Sequence, residues 1–181
     1  MQIRESGLPG LCILCPRVHR DQRGFFLETF REEFFQSLDT PVHFVQDNHA
    51  RSEEAGVLRG LHYQTPPAAQ TKLVWVSRGA AFDVAVDLRR ASPTYGKSYG
   101  LELTAENFLR LLIPRGFAHG YMTLEPGTEF HYKVDHYYSP EHEGGLRWND
   151  PALLVDWPKR EPIMAGRDKN WPLLADLPAI F

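Results

Sequence analysis

Proline and glycine interrupt this chain so often that no long helix fits into it. Fourteen of each fall among its 181 residues, and the stretches between them are short and rich in β-branched and aromatic side chains. Proline offers no amide hydrogen to a helix or ladder, and glycine loses the most freedom on ordering, so both collect at turns. Short β-branched runs between such breaks are strands, and many of them in series make an all-β sandwich or barrel. Strands are expected at 11–18, 24–30, 42–48, 56–64, 71–78, 80–88, 99–103, 109–113, 120–123 and 129–138. Arg31 to Leu38 is the best internal helix candidate, and it is short. In the last forty or so residues, Trp148-Asn-Asp-Pro151, Trp157-Pro158 and Trp171-Pro172 mark a proline-rich wrap over the barrel with one or two helical turns. Residues 1–181 are therefore read as a single domain.

A formal net charge of -3 gives no broad attraction for nucleic acid or membrane. No apolar run nears the roughly 20 residues of a membrane span, and the N-terminus lacks the pattern of a signal peptide. Cys12 and Cys15 have the spacing of a redox motif, but on a strand they point to opposite faces and read as inert thiols. The expected compartment is the cytoplasm.

The run Gly56-Val-Leu-Arg-Gly-Leu-His-Tyr-Gln64 sets an arginine and a histidine into otherwise apolar surroundings. An isolated His62 would most simply be a core residue bonded to a carbonyl. Its company argues otherwise: Lys72 opens the next strand, His119 follows Pro114-Arg-Gly-Phe-Ala118, and Tyr132 and Tyr138 share parity on one strand run. A base, a cation and phenols in one cavity suit removal of a proton beside a carbonyl and its return. Strict alternation separates Arg59 from His62, so if both serve one site Gly60 marks a bulge. Asp83 and Asp87 alternate with apolar residues and are expected to face solvent or a polar cavity. A bound metal is not expected: Gln64, not a second histidine, stands two after His62, and His131 and His136 fall on opposite strand faces. Arg23, Arg59 and Arg167, with Gln46-Asp47-Asn48 and Tyr138, form a set for a phosphorylated ligand bearing a ring. No Walker or Rossmann glycine pattern is present, and no cofactor is expected.

Asp21-Gln-Arg-Gly-Phe-Phe-Leu-Glu28, Gln46-Asp-Asn48, Gly56 to Gln64, Ile113-Pro-Arg-Gly-Phe-Ala-His-Gly120 and Tyr137-Tyr-Ser-Pro-Glu-His-Glu143 together resemble the dTDP-4-dehydrorhamnose 3,5-epimerase family. Trp148-Asn-Asp-Pro151 and Pro162 to Asp168 extend the resemblance over nearly the whole chain. It implies a cupin double-stranded β-helix, a jelly-roll barrel with short peripheral helices, in a metal-independent homodimer. It also implies inversion of C3 and C5 of a dTDP-linked 4-keto-6-deoxy sugar, dTDP-4-dehydro-6-deoxy-D-glucose, to dTDP-4-dehydro-L-rhamnose. His62 would then be the base, with Asp168, or more weakly Asp83, orienting its ring. Tyr132 would return the proton, and Lys72 would hold the enolate oxygen with His119 nearby. Nucleotide contacts would fall on Arg23, Glu28, Gln46, Asp47, Asn48, Arg59, Glu143 and Arg167, with Tyr138 stacking on the thymine. Arg23 and Glu28 would reach the neighbouring subunit. Ala50, where the family carries a small polar residue, and the Ala165-Gly-Arg167 stretch depart from the pattern. Three alternatives stand beside this reading: an epimerase of one centre only on a related dTDP-4-keto sugar, a metal-dependent cupin, and a non-catalytic nucleotide-sugar binder.

Overall fold

The computed structural model describes residues 1–159 and 161–181. Among the described residues thirteen strands follow one another: β1 Gln2–Glu5, β2 Cys12–Cys15, β3 Val18–Asp21, β4 Gly24–Leu27, β5 Gln46–Ser52, β6 Leu58–Gln64, β7 Lys72–Arg78, β8 Ala80–Asp87, β9 Ser98–Thr104, β10 Arg110–Ile113, β11 Phe117–Thr123, β12 Thr128–Val134 and β13 Glu143–Gly145. Among the described residues one short α-helix, α1 (Glu32–Gln36), lies between β4 and β5, and four single 3-10 turns follow β12. The strands form a six-stranded sheet ordered β1-β2-β10-β7-β12-β5 and a five-stranded sheet ordered β13-β6-β11-β8-β9. Every pairing between these strands is antiparallel: the punctuated sequence leads to an all-β sandwich or barrel, and the family resemblance implies the jelly-roll. β3 and β4 pair only with each other, as a hairpin.

Three apolar clusters hold this arrangement. Between the sheets, Val74, Val76, Ala81, Leu103, Leu111 and Phe130 fill one end of the barrel. On the outer face of the six-stranded sheet, Leu14, Leu73 and Leu112 pack under Phe35 of α1. On the outer face of the five-stranded sheet, Leu58, Val84, Val86 and Met122 meet Leu153, Trp157 and Leu177 from the C-terminal stretch. Each such Leu, Val or Phe contributes about 1.5–3 kcal/mol by leaving water. The C-terminal stretch is also stitched to the barrel by backbone: the Leu58 amide donates to the Ile163 carbonyl at 2.9 Å, and the Ile163 amide donates to the Gly56 carbonyl at 2.8 Å.

Several expected elements end sooner than alternation suggests. The run 11–18 divides at Pro16-Arg17 into β2 and β3, because Pro16 has no hydrogen to give a ladder. The run 24–30 stops at Leu27, and 42–48 joins the sheet only from Gln46. The run 129–138 stops at Val134, because Asp135 turns aside and its carboxylate accepts the Thr71 amide at 2.6 Å. Tyr132 and Tyr138 therefore do not share a strand. Asp83 and Asp87 do not face solvent either; both are fully buried. Asp87 is enclosed by Arg89, Ser92 and Thr94, and burial, which would raise its carboxyl, is outweighed by these bonds, leaving it at about 2. Cys12 and Cys15 do lie on opposite faces, one against the α1 cluster and one against the barrel interior.

Candidate active site

A cavity of about 820 Å³ opens between the two sheets. The five-stranded sheet supplies Arg59 and His62 from β6 and His119 and Tyr121 from β11. The six-stranded sheet faces them with Gln46 and Asn48 from β5, Lys72 from β7, and Phe130 and Tyr132 from β12. Tyr138, Glu143, Arg167 and Asp168 come from the segments that follow β12 and close one side.

The parity conflict between Arg59 and His62 is resolved at Gly60. His62 stands opposite His119 and Arg59 opposite Tyr121, so Gly60 and Leu61 together face Gly120 alone. This bulge turns Arg59 and His62 toward the same cavity. Gly60 has φ +125°, and a Cβ there would stand 2.6 Å from the Gly120 Cα, so only a bare backbone fits.

His62 is partly buried, and its Nε2 lies 2.8 Å from the Asp168 Oδ1. Asp168 reaches it from 106 residues away because the C-terminal stretch bridges Ile163 to Val57 and then makes a tight turn at Arg167–Lys169. The carboxylate also accepts the Gly60 amide at 3.2 Å and the Trp171 indole at 3.4 Å. Burial alone would raise its carboxyl; the bonds from His62, Gly60 and Trp171 more than reverse this and hold it below the usual carboxylate range. Trp171 stands edge-on to the imidazole with ring centres 6.1 Å apart. With Nε2–H donating to Asp168, Nδ1 is left with the lone pair.

Asp83 takes a different partner. Its Oδ2 lies 2.8 Å from Nε2 of His119, while Asp168 is the carboxylate paired with His62. Burial lowers the His119 imidazolium, with Asp83 opposing it and Lys72 adding to it. The Lys72 Nζ sits 3.4 Å from the His62 carbonyl. Burial lowers its ammonium to about 8, although Asp83 and Glu143 pull the other way. Burial raises the Tyr132 phenol, with Arg59 opposing, so the hydroxyl keeps its proton at neutral pH.

At the mouth, Glu143 accepts from the Tyr138 hydroxyl at 3.0 Å and pairs with Arg167 at 2.9 Å. Gln46 accepts the Tyr138 amide at 3.3 Å and donates to Asn48 at 2.8 Å. Three expected ligand contacts lie elsewhere in this chain. Asp47 alternates with Gln46 and Asn48 and so faces outward, where it pairs with Lys133 at 2.7 Å. Arg23 pairs with Asp21 at the exposed tip of the β3–β4 hairpin, and Glu28 follows that hairpin and pairs with Arg31. Neither Arg23 nor Glu28 lines the cavity. Among the lining or supporting residues that the sequence did not point to are Gln64, Tyr121, Phe130 and Trp171. Gln64 takes the Ser139 amide at 2.8 Å and donates to the Tyr137 carbonyl at 3.3 Å, so it sets the loop that carries Tyr138. Tyr121 stacks on Phe130 at 3.7 Å to form one wall.

A sequence model described as dTDP-4-dehydrorhamnose 3,5-epimerase matches residues 5–176. The enzyme of that name from Sinorhizobium fredii is 48% identical over 182 residues, which span 100% of this chain and 93% of that one. The crystal structure of the enzyme of that name from Bacillus anthracis, with TDP and PPi bound, superposes with a TM-score of 0.92 at 46% identity, covering 95% of this chain and 98% of that chain. The dTDP-6-deoxy-D-glucose-3,5-epimerase of Legionella pneumophila, in complex with dTDP-4-keto-L-rhamnose, gives a TM-score of 0.93 at 42% identity, covering 98% and 95%.

Proposed function

Because this chain belongs to the dTDP-4-dehydrorhamnose 3,5-epimerase family, we propose that it is an isomerase that inverts C3 and C5 of dTDP-4-dehydro-6-deoxy-D-glucose to give dTDP-4-dehydro-L-rhamnose, a step of dTDP-rhamnose biosynthesis. The observation that carries the reading is the pairing of His62 on one sheet with Asp168 from the C-terminal stretch, with the protonated Tyr132 on the sheet opposite. A ketone at C4 acidifies the hydrogens at both C3 and C5, since either carbanion delocalises into the same oxygen. His62 Nδ1 takes the proton, and Asp168 steadies the imidazolium that forms. Lys72 holds the enolate oxygen, with the neutral His119 beside it. Tyr132 returns a proton from the other face, and that return inverts the centre. Only protons move, so the reading invokes no metal and no redox cofactor.

The nucleotide end of the substrate is assigned to the mouth. Arg59 and Arg167 meet the diphosphate, Gln46, Asn48 and Glu143 bond the nucleoside, and Tyr138 stacks on the base. Asp47 is the exception and serves by holding Lys133. We further propose a homodimer in which Arg23 and Glu28 complete the partner's site. Its support is the β3–β4 hairpin, which joins neither main sheet and carries Phe25 and Phe26 at 56% and 70% exposure. Aromatic side chains so bare are suited to burial against another surface. Among the described residues no helix is long and apolar enough to cross a membrane. The cytoplasm, where free thiols such as Cys12 and Cys15 persist, is the proposed compartment.

The test is incubation with dTDP-4-dehydro-6-deoxy-D-glucose, followed by proton NMR of the sugar across a pH series. Inversion at both C3 and C5 is expected; unchanged substrate, or inversion at one centre alone, counts against the reading. The rate is expected to fall as pH rises through about 8. The lowered Lys72 ammonium is charged below that pH and neutral above it, and a neutral amine no longer balances an enolate. A rate that stays flat to pH 10 removes Lys72 from the mechanism.

A further inference from the structure

We propose that His49, Glu129 and His131, on the outer face of the six-stranded sheet, form a binding site for a divalent transition-metal ion, zinc by preference, apart from the epimerase cavity. The strand register builds it. Glu129 and His131 are two apart on β12 and so share a face, and His49 on β5 is the direct partner of His131 across the ladder. Phe130 and Tyr132, which alternate with them, point the other way into the cavity.

One donor atom from each of the three side chains lies within 4.8 Å of the others, and among the described residues no other group of three does this. His49 Nε2 and Glu129 Oε2 are 3.3 Å apart. A tetrahedral ion with bonds of about 2.0–2.1 Å needs donors about 3.3–3.4 Å apart, so this edge is already at the required length. The rings of His49 and His131 stack at 4.0 Å, so binding tilts the exposed His49 ring about its Nε2 until both lone pairs aim at one ion. Trp75 stacks on the other face of His131 at 5.4 Å, and the Ser77 hydroxyl lies 2.7 Å from its Nε2. With Ser77 accepting the Nε2–H, Nδ1 is left as the ligand atom, and an oriented ring whose other nitrogen is bonded is how metal-ligating histidines are usually held.

Two imidazole nitrogens and one carboxylate oxygen suit zinc, with cobalt or nickel as substitutes and water in the fourth position. Magnesium and calcium want all-oxygen shells. Such an ion would clamp the edge strand β5 to β12, the two strands that carry Gln46, Asn48 and Tyr132.

The experiment titrates the full-length, chelator-treated protein with Zn²⁺ by calorimetry, with Mg²⁺ as the control, and records the visible spectrum of the Co²⁺ form. One Zn²⁺ per chain, no Mg²⁺ binding and the strong absorption of tetrahedral Co²⁺ are expected. His49→Ala and Glu129→Gln, both near the surface and folded by circular dichroism, are expected to bind Zn²⁺ at least about tenfold more weakly and to lose the Co²⁺ band. No Zn²⁺ binding by the unaltered protein, or unchanged binding by both variants, overturns the proposal. The readout is independent of epimerase activity, so it stands or falls apart from the cavity chemistry.

Discussion

His62→Ala is expected to lower turnover on the order of 10³-fold while leaving affinity for dTDP essentially unchanged. The magnitude follows from the job assigned to the ring. Without a positioned base, the carbon acid must lose its proton to water, and a general base is worth about 10²–10⁴-fold. Affinity survives because the nucleotide is assigned to Arg59, Tyr138, Glu143 and Arg167, none of which bonds the imidazole. The fold survives because Asp168 keeps two other donors, the Gly60 amide and the Trp171 indole, so no buried carboxylate is stranded. Steady-state kinetics with calorimetric dTDP binding checks this, and turnover comparable to the unaltered enzyme would assign the base to another residue.

Tyr132→Phe separates the two halves of the reaction. Proton removal belongs to His62 on β6, and proton return belongs to Tyr132 on the opposing sheet. Losing only the hydroxyl keeps the ring that fills the wall, so the cavity holds its shape. His62 can still take a proton and give back a solvent-derived one to the same face, which exchanges hydrogen without inverting carbon. Epimerisation is therefore expected to fall on the order of 10²-fold, with proton loss slowed much less. Comparing inversion and exchange in one sample by NMR decides the matter. Equal slowing of both would make Tyr132 a residue that only positions the sugar.

The barrel was legible in the sequence because glycine and proline bracket the strands and alternation marks their sheet faces. Alternation even exposed its own breach, since Arg59 and His62 could share a site only through a bulge at Gly60, where the register does shift. What it could not show was where a run leaves its ladder. Asp135 bends the chain after β12 through a bond to Thr71, a residue 64 positions earlier, and no local pattern contains that bond. Nor could it tell what lies across from a carboxylate. Alternation leaves Asp83 and Asp87 facing either solvent or a polar cavity, and only His119 over the one and the Arg89-Ser92-Thr94 enclosure around the other show that both are buried. The His62–Asp168 pair spans 106 residues, and its expectation came from family resemblance, not from spacing. The His49–His131 pair had no signal at all, because it depends on the register of β5 against β12. Arg23 and Glu28 were expected at a neighbouring subunit's site, and a single chain leaves them outside its own cavity.

Proton traffic at the two carbons flanking the ketone is the heart of this account. Turnover of dTDP-4-dehydro-6-deoxy-D-glucose in heavy water, read by NMR and mass spectrometry, follows it atom by atom. Deuterium at both C3 and C5 of the inverted sugar, and at neither position with His62→Ala, is the expected result. Inverted product that keeps its original hydrogens at those carbons would contradict it.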